Sequence, residues 1–153
     1  MAHRPATPAI FRILLPARDL ARSRRFYERL LATPGRVVAP GRVYFDAGPV
    51  LLGILDFSRV PRGRHPRPTE SVYFSTPQLD RVHARAGRLG CLAKGVLHGD
   101  AHSPLGRPVV RPWGERSFYV EDPSGNSLCF VEAGTEFTGS RAQVAALRRS
   151  SKA

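Results

Sequence analysis

One pattern of elements occurs twice in this chain, and that duplication constrains the fold more than any other feature. A short apolar run, Ile10 to Leu15, precedes a helical stretch from Leu20 to about Leu31. A brief Val37-Val38 segment follows, then two apolar runs, Val43 to Asp46 and Val50 to Leu55, joined across Ala47-Gly48-Pro49. The order then recurs. Ser71 to Phe74 reads as a strand, and Leu79, Val82, Ala86 and Leu89 fall at helical spacing. Cys91 to Leu97 reads as a further strand, and two aromatic-rich runs flank Asp122-Pro123-Ser124-Gly125. Repetition on this scale predicts two copies of one βαβββ unit. A single unit has a helix over one face of its sheet and nothing over the other. Two units therefore enclose a shared cavity, the natural place for a ligand. The fold class expected is α+β, with paired βαβββ modules forming a curved, cup-like mixed sheet.

Local signals set the boundaries. Asp19 is placed to cap the first helix, and Thr33-Pro34-Gly35 stops it. Leu20, Phe26, Tyr27, Leu30 and Leu31 fall near one face of that helix, with Arg18, Arg22, Arg25 and Arg29 largely on the other. Thr76 is placed to cap the second helix, with Pro77 at its first position and Gly90 as its stop. Residues 57–69 hold three prolines, a glycine and four arginines and read as a linker. The modules are thus expected at 8–56 and 70–137, with a polar, Pro-rich loop from His98 to Pro112 and a basic tail over 138–153.

Composition narrows the function classes. Of 153 residues 42% are hydrophobic and 24% charged, as in ordinary soluble domains. No apolar run approaches the roughly 20 residues of a membrane span. Met1 to Pro8 has no apolar signal region, so a cytoplasmic protein without membrane partners is expected. Cys91 and Cys129, the two cysteines, are expected as free thiols. Net charge is +12, and 22 of the 24 basic residues are arginine. Arginine pairs well with phosphate and carboxylate, but the signatures of dedicated nucleic-acid modules are absent. Nucleic acid is therefore not expected as the main partner.

Three stretches, I-L-L-P-A-R-D-L-A-R-S-R-R-F-Y-E-R-L-L, V-Y-F-S-T-P-Q-L-D-R-V-H-A-R-A-G-R-L-G and W-G-E-R-S-F-Y-V-E-D-P-S-G-N-S-L-C-F-V-E, carry a likeness covering about residues 10 to 137. The chain resembles the vicinal oxygen chelate superfamily, which includes glyoxalase I, extradiol dioxygenases, fosfomycin-resistance enzymes and bleomycin-resistance binding proteins. The resemblance implies a divalent metal held by His, Gln or Glu on the first strand of each unit and Glu or His on the last. Carried over by position, these places fall on Arg12, Ser71, Gly53 or a neighbour, and Cys129. Only Cys129 is an ordinary metal ligand, and arginine would repel a cation. No metal or other cofactor is therefore expected. His98-x-Asp100-x-His102 has metal-binding residue types but reads as a polar loop.

The candidate ligand-binding residues are Arg12, Ser71, Tyr73, Trp113, Glu115, Arg116, Phe118 and Cys129. Pairing across the Asp122–Gly125 turn is expected to set Phe118 opposite Cys129 and Arg116 opposite Val131. Arg116, Phe118, Ser127 and Val131 would then share the cavity face with Cys129, and Tyr44 and Tyr119 would point away. Trp113 is placed to cap a planar ligand. Arg12 is placed either in the pocket or across the sheet beside Glu115 or Glu132. His83 is expected on the outer side of its helix, and no nucleophile–base set stands out. The expected function is metal-free binding of a small anionic, aromatic or amphipathic molecule by a homodimer. The alternatives are a metal-dependent glyoxalase- or dioxygenase-type enzyme with ligands at shifted positions, and an RNA- or phosphate-associated protein using the arginine surface and tail.

Overall fold

The computed structural model describes residues 10–66 and 70–152. Residues 1–9, 67–69 and 153 lie outside the described residues, and with them the N-terminal reading and part of the expected linker. The first module comprises β1 (Arg12–Ala17), α1 (Leu20–Leu31), β2 (Arg36–Ala39), β3 (Arg42–Ala47) and β4 (Val50–Asp56). The second comprises β5 (Val72–Thr76), α2 (Leu79–Leu89), β6 (Val109–Val110), β7 (Arg116–Glu121) and β8 (Ser127–Glu132), and α3 (Arg141–Ser150) follows. The sheets run β1-β4-β3-β2 and β5-β8-β7-β6. In each, the first strand lies parallel to the last and the other pairings are antiparallel. The α+β duplication read from the sequence is thus the architecture found: two open, four-stranded mixed sheets, neither closed into a barrel.

Capping follows the sequence in α1, where Asp19 accepts a hydrogen bond from the Arg22 amide at 2.9 Å. It does not in α2. Thr76 ends β5 instead, its hydroxyl accepting the Gln78 amide at 3.1 Å, and Gln78 holds the N-cap position without a side-chain cap. Gly90 closes α2 with a left-handed φ of 66°.

Cys91–Leu97 departs from expectation. It forms only isolated bridges, Leu92 to Val120 and Val96 to Pro104. Gly95, at φ 89°, breaks the extended run. The fourth strand of this sheet is Val109–Val110, inside the stretch expected to be loop. It pairs with Ser117 and Arg116. The outer edge of β7 is thus covered in two short pieces rather than by one strand.

One core joins the modules, and a smaller cluster of Tyr119, Cys129 and Val131 lies on the other face of the second sheet. Leu15, Tyr27, Leu30, Phe45 and Ile54 meet Leu79, Val82, Phe118, Val120 and Phe130 on the helix-bearing sides of both sheets. Each such side chain contributes roughly 1.5–3 kcal/mol on burial. Polar ties cross the same seam. Tyr27 donates to Asp122 at 2.7 Å, Asn126 donates to the Pro16 carbonyl at 3.0 Å, and the Arg18 amide donates to Ser124 Oγ at 3.0 Å. The turn Asp122–Asn126 is therefore a clasp on the first module as well as a hairpin end. Leu14 and Tyr73, on the helix-free faces, stay exposed, as do Ile10 and Phe11 just before β1.

Candidate functional site

The hairpin turn decides which side chains reach the helix-free face of the second module. The Asp122 amide donates to the Asn126 carbonyl at 2.9 Å, so the loop is the three residues Pro123, Ser124 and Gly125. Gly125 takes a left-handed φ of 82°, as such a loop requires at its last position. Asp122 Oδ1 holds it by accepting the Ser124 and Asn126 amides, each at 2.8 Å. The register is one residue from the expected one: Tyr119 faces Cys129, Phe118 faces Phe130 and Ser117 faces Val131. A slip of one residue turns every side chain of β7 over.

Two candidate residues are thereby corrected. Phe118 is fully buried on the helix side, stacked on Phe130 with ring centroids 5.6 Å apart. His83 meets it edge-on at 5.0 Å, so His83 is not an outer residue either. Arg116 lies on the same helix side, donating to Asp80 at 2.8 Å and to Glu132 at 3.1 Å. Neither lines the helix-free face. Tyr119 does, contrary to expectation.

On that face β5, β7 and β8 bring together Tyr73, Ser117, Tyr119, Cys129 and Val131, with Ser71 bonded to Ser127 at 2.7 Å between hydroxyls. The Tyr73 and Tyr119 hydroxyls lie 3.3 Å apart. Beneath them sits Arg111, only 2% exposed. Its guanidinium donates to Ser117 Oγ, Ser103 Oγ and the carbonyls of Pro104 and Ser117 at 2.9–3.0 Å, and lies over the Tyr119 ring at 5.3 Å. Burial lowers its pKa, and no carboxylate shares its hydrogen bonds. Cys129 is wholly buried, and burial pushes its thiol up to about 11 against the opposing pull of hydrogen bonds with Tyr119 and Ser117. It is a neutral thiol at ordinary pH.

The mouth of this face is a cavity of about 430 Å³ walled by Tyr73, Trp113, Val131 and Phe137, with Glu115 and Glu136 among its lining. Glu115 is buried. It accepts the Trp113 indole N–H at 2.7 Å and the Phe137 amide at 2.8 Å. Glu136 accepts from Ser75 at 2.5 Å and from the Gly134 amide at 2.7 Å, the first of these doing most to hold its carboxyl below the usual range. Among the described residues neither carboxylate pairs with an arginine. A separate cleft of about 490 Å³ runs along the seam between the modules, walled chiefly by apolar side chains such as Ile13, Leu52, Phe74 and Phe130.

The first module presents the equivalent face. Leu14, Gly53 and Tyr44 stand side by side as Tyr73, Cys129 and Tyr119 do in the second. Tyr44 is thus also on the open side. Arg12 donates to its hydroxyl at 3.0 Å and lies over its ring at 5.4 Å, bonded to neither Glu115 nor Glu132. A side chain at Gly53 would run into Leu14 and approach the Tyr44 ring to 3.0 Å.

The donors do not suit a divalent metal. The four places the resemblance points to hold a guanidinium, a glycine, a hydroxyl bonded to its neighbour and a neutral thiol. Among the described residues no three His, Cys, Asp or Glu side chains gather as a metal site, His98, Asp100 and His102 included. Asp100 instead accepts the His102 amide at 2.9 Å.

Arg111, Ser117, Tyr119, Glu136 and Phe137 join the candidate site only in the structure. Tyr119 and Ser117 follow from the loop length once Gly125 is read as a left-handed position. Arg111 carries no local signal, because only the pairing of β6 turns it inward.

Three solved structures share the architecture. A lactoylglutathione lyase from Agrobacterium tumefaciens is 25% identical, with 86% of this chain and 100% of that one covered and a TM-score of 0.60. A bleomycin resistance determinant encoded on transposon Tn5 is 18% identical, covering 83% and 99%, at 0.60. A bleomycin-binding protein complexed with bleomycin is 18% identical, covering 82% and 98%, at 0.56. Among curated proteins none matches significantly. The sequence profile that does match spans residues 9–130, both modules through β8 almost to its end, and by it this chain belongs to the Glyoxalase/Bleomycin resistance protein/Dioxygenase superfamily.

Proposed function

We propose that this protein binds a small amphipathic molecule on the helix-free face of its second module, without a metal ion. The observation that carries the reading is the cavity at Trp113. Three aromatic side chains, Tyr73, Trp113 and Phe137, surround a space of about 430 Å³ into which two carboxylates without arginine partners also look. Aromatic faces and carboxylates attract cations together. With Arg116 turned to the helix side and Arg111 sealed below the tyrosines, the accessible charge here is negative. The ligand favoured is therefore a flat molecule bearing an amine or similar cationic group, rather than the anion suggested by net charge.

The same reading takes the working form to be a homodimer. Exposed Ile10, Phe11, Leu14 and Tyr73 are the apolar surface a second copy would cover. The bleomycin-binding relative supports small-molecule capture on this fold, and its ligand is a property of that protein.

A thermal-shift panel of aromatic amines and matched aromatic carboxylates tests this, run beside metal analysis of protein purified without chelator. Amines are expected to raise the unfolding midpoint by several degrees at saturating concentration, as mass action requires. Trp113→Ala and Glu115→Gln should each abolish the shift. Stoichiometric metal that is lost on Cys129→Ala would sink the metal-free reading, and a response to carboxylates alone would reverse the charge assignment.

A further inference from the structure

The outer surface of α1 carries a second, unrelated set of groups. Arg22, Arg25 and Arg29 recur at three- and four-residue spacing, so they form one stripe, and all three are exposed. Among the described residues none of them makes an ion pair, whereas Arg24 on the adjoining face is spent on Glu28 at 2.9 Å. The stripe does not stand on a flat surface. Two adjoining hollows of about 450 and 660 Å³ share Arg22, Phe26, Leu89 and Pro123, and so make one groove between α1 and the loops of the second module. Lys94 lies along the groove, and the Arg18 backbone is held near it by the hydrogen bond its N–H donates to Ser124 Oγ. The acids nearby are Glu28, already paired; Asp122, buried and bonded to Tyr27 and Asn126; Asp19, whose carboxylate caps α1; and Glu121 on the far wall.

We propose that this groove holds the phosphodiester backbone of a single-stranded nucleic acid. Seven residues of helix separate Arg22 from Arg29, about 10 Å along the axis. One strand of a duplex carries a phosphate per about 3.4 Å of axis, and an extended strand spaces them more widely, so the three guanidiniums match two or three consecutive phosphates. Guanidinium forks suit phosphate oxygens, and the floor between them is closed by buried Phe26 with half-buried Leu89 and Pro123, so the contact is with the backbone rather than with stacked bases. A lipid surface fits less well, since none of the large exposed apolar side chains lies in the groove. The site is remote from Trp113 and independent of the small-molecule reading.

Fluorescence anisotropy of the full chain with labelled oligouridylate and oligothymidylate of about 15 nucleotides tests it. Affinity should fall with salt, with a log–log slope of about −2 to −3.5 for three to five neutralised phosphates. The triple variant Arg22→Gln, Arg25→Gln, Arg29→Gln should weaken binding at least about tenfold at moderate salt and flatten the slope by about 2. The matching Arg→Lys triple should keep the slope, which separates charge loss from misfolding. Removing equal charge from α3, as Arg141→Gln, Arg148→Gln and Arg149→Gln, should change affinity less than about threefold. Equal losses from the two Gln triples would overturn the proposal, because any basic patch would then serve. Absence of binding at low salt, or equal affinity for a glutamate polymer of similar length, would overturn it as well.

Discussion

Cys129 shows how much one position can say. Its place on the last strand, just after the second module's final hairpin turn, was legible in sequence, and so was its unsuitability as a lone metal ligand. Its neighbours were not, because they depend on a register set elsewhere. The thiol sits under Tyr119 with no exposure, and its pKa rises from an ordinary 9.0 to about 11. Folding thus favours the protonated form. That contribution is fully present below pH 9, where the unfolded thiol is also neutral, and is lost as pH climbs toward the folded value. It is on the order of 2–3 kcal/mol. Urea midpoints measured near pH 8 and near pH 10 should fall accordingly, and Cys129→Ala should flatten that fall while costing about 1–2 kcal/mol at neutral pH. Iodoacetamide should modify the native protein at Cys129 only slowly, since the thiolate is the reactive form.

At the level of elements, the helices and the two long hairpins were readable because their signals are local: period, cap and stop. The failures share a physical cause. Val109–Val110 is too short to show a pattern and becomes a strand only because β7 has a free edge beside it. The turn at Asp122 contains the right residues, yet whether Asn126 pairs with Glu121 or with Asp122 depends on Gly125 adopting positive φ. That choice put Phe118 and Arg116 on the wrong side. The turn also anchors the first module, which no hairpin signal announces. Tyr27→Phe leaves the Asp122 carboxylate its three other hydrogen-bond donors, so it should cost only about 1–2 kcal/mol. Gly125→Ala should cost about 1 kcal/mol through backbone strain alone. Chemical denaturation of the two single variants and the double variant would show whether turn and clasp act as one unit, since coupled sites depart from additivity by about 0.5 kcal/mol or more.

Across the whole molecule, the duplicated sequence foretold two sheets with one covered face each, and it also placed a ligand cavity between them. The first module's helix-free face is open, with Leu14 exposed, whereas the second's is largely covered by Ala93, Leu97 and Leu105 packed on Tyr119, Cys129 and Val131, with Tyr73 left exposed beside them. A second copy at these faces should appear by sedimentation at micromolar concentration, and Leu14→Glu should shift the equilibrium to monomer. Each chain carries a net charge of +12, so repulsion opposes pairing and added salt should strengthen the dimer. Nucleic acid in the α1 groove would show the opposite salt response, and the two associations can be told apart in one titration.

The clasp between the modules has a consequence for how the chain may be divided. Tyr27 meets Asp122, Asn126 meets Pro16 and Ser124 meets Arg18 across separations of 95 to 110 residues, over a shared apolar core. Among its described residues the segment after β4 forms a 3-10 turn at Arg62–Arg64 with no buried side chain. Covalent continuity there sets the one-to-one stoichiometry of the halves, while their adhesion is written in the module surfaces. A protease nick after β4 would leave a particle of unchanged mass and shape that comes apart only in denaturant, and the two halves are natural fragments for a split reporter.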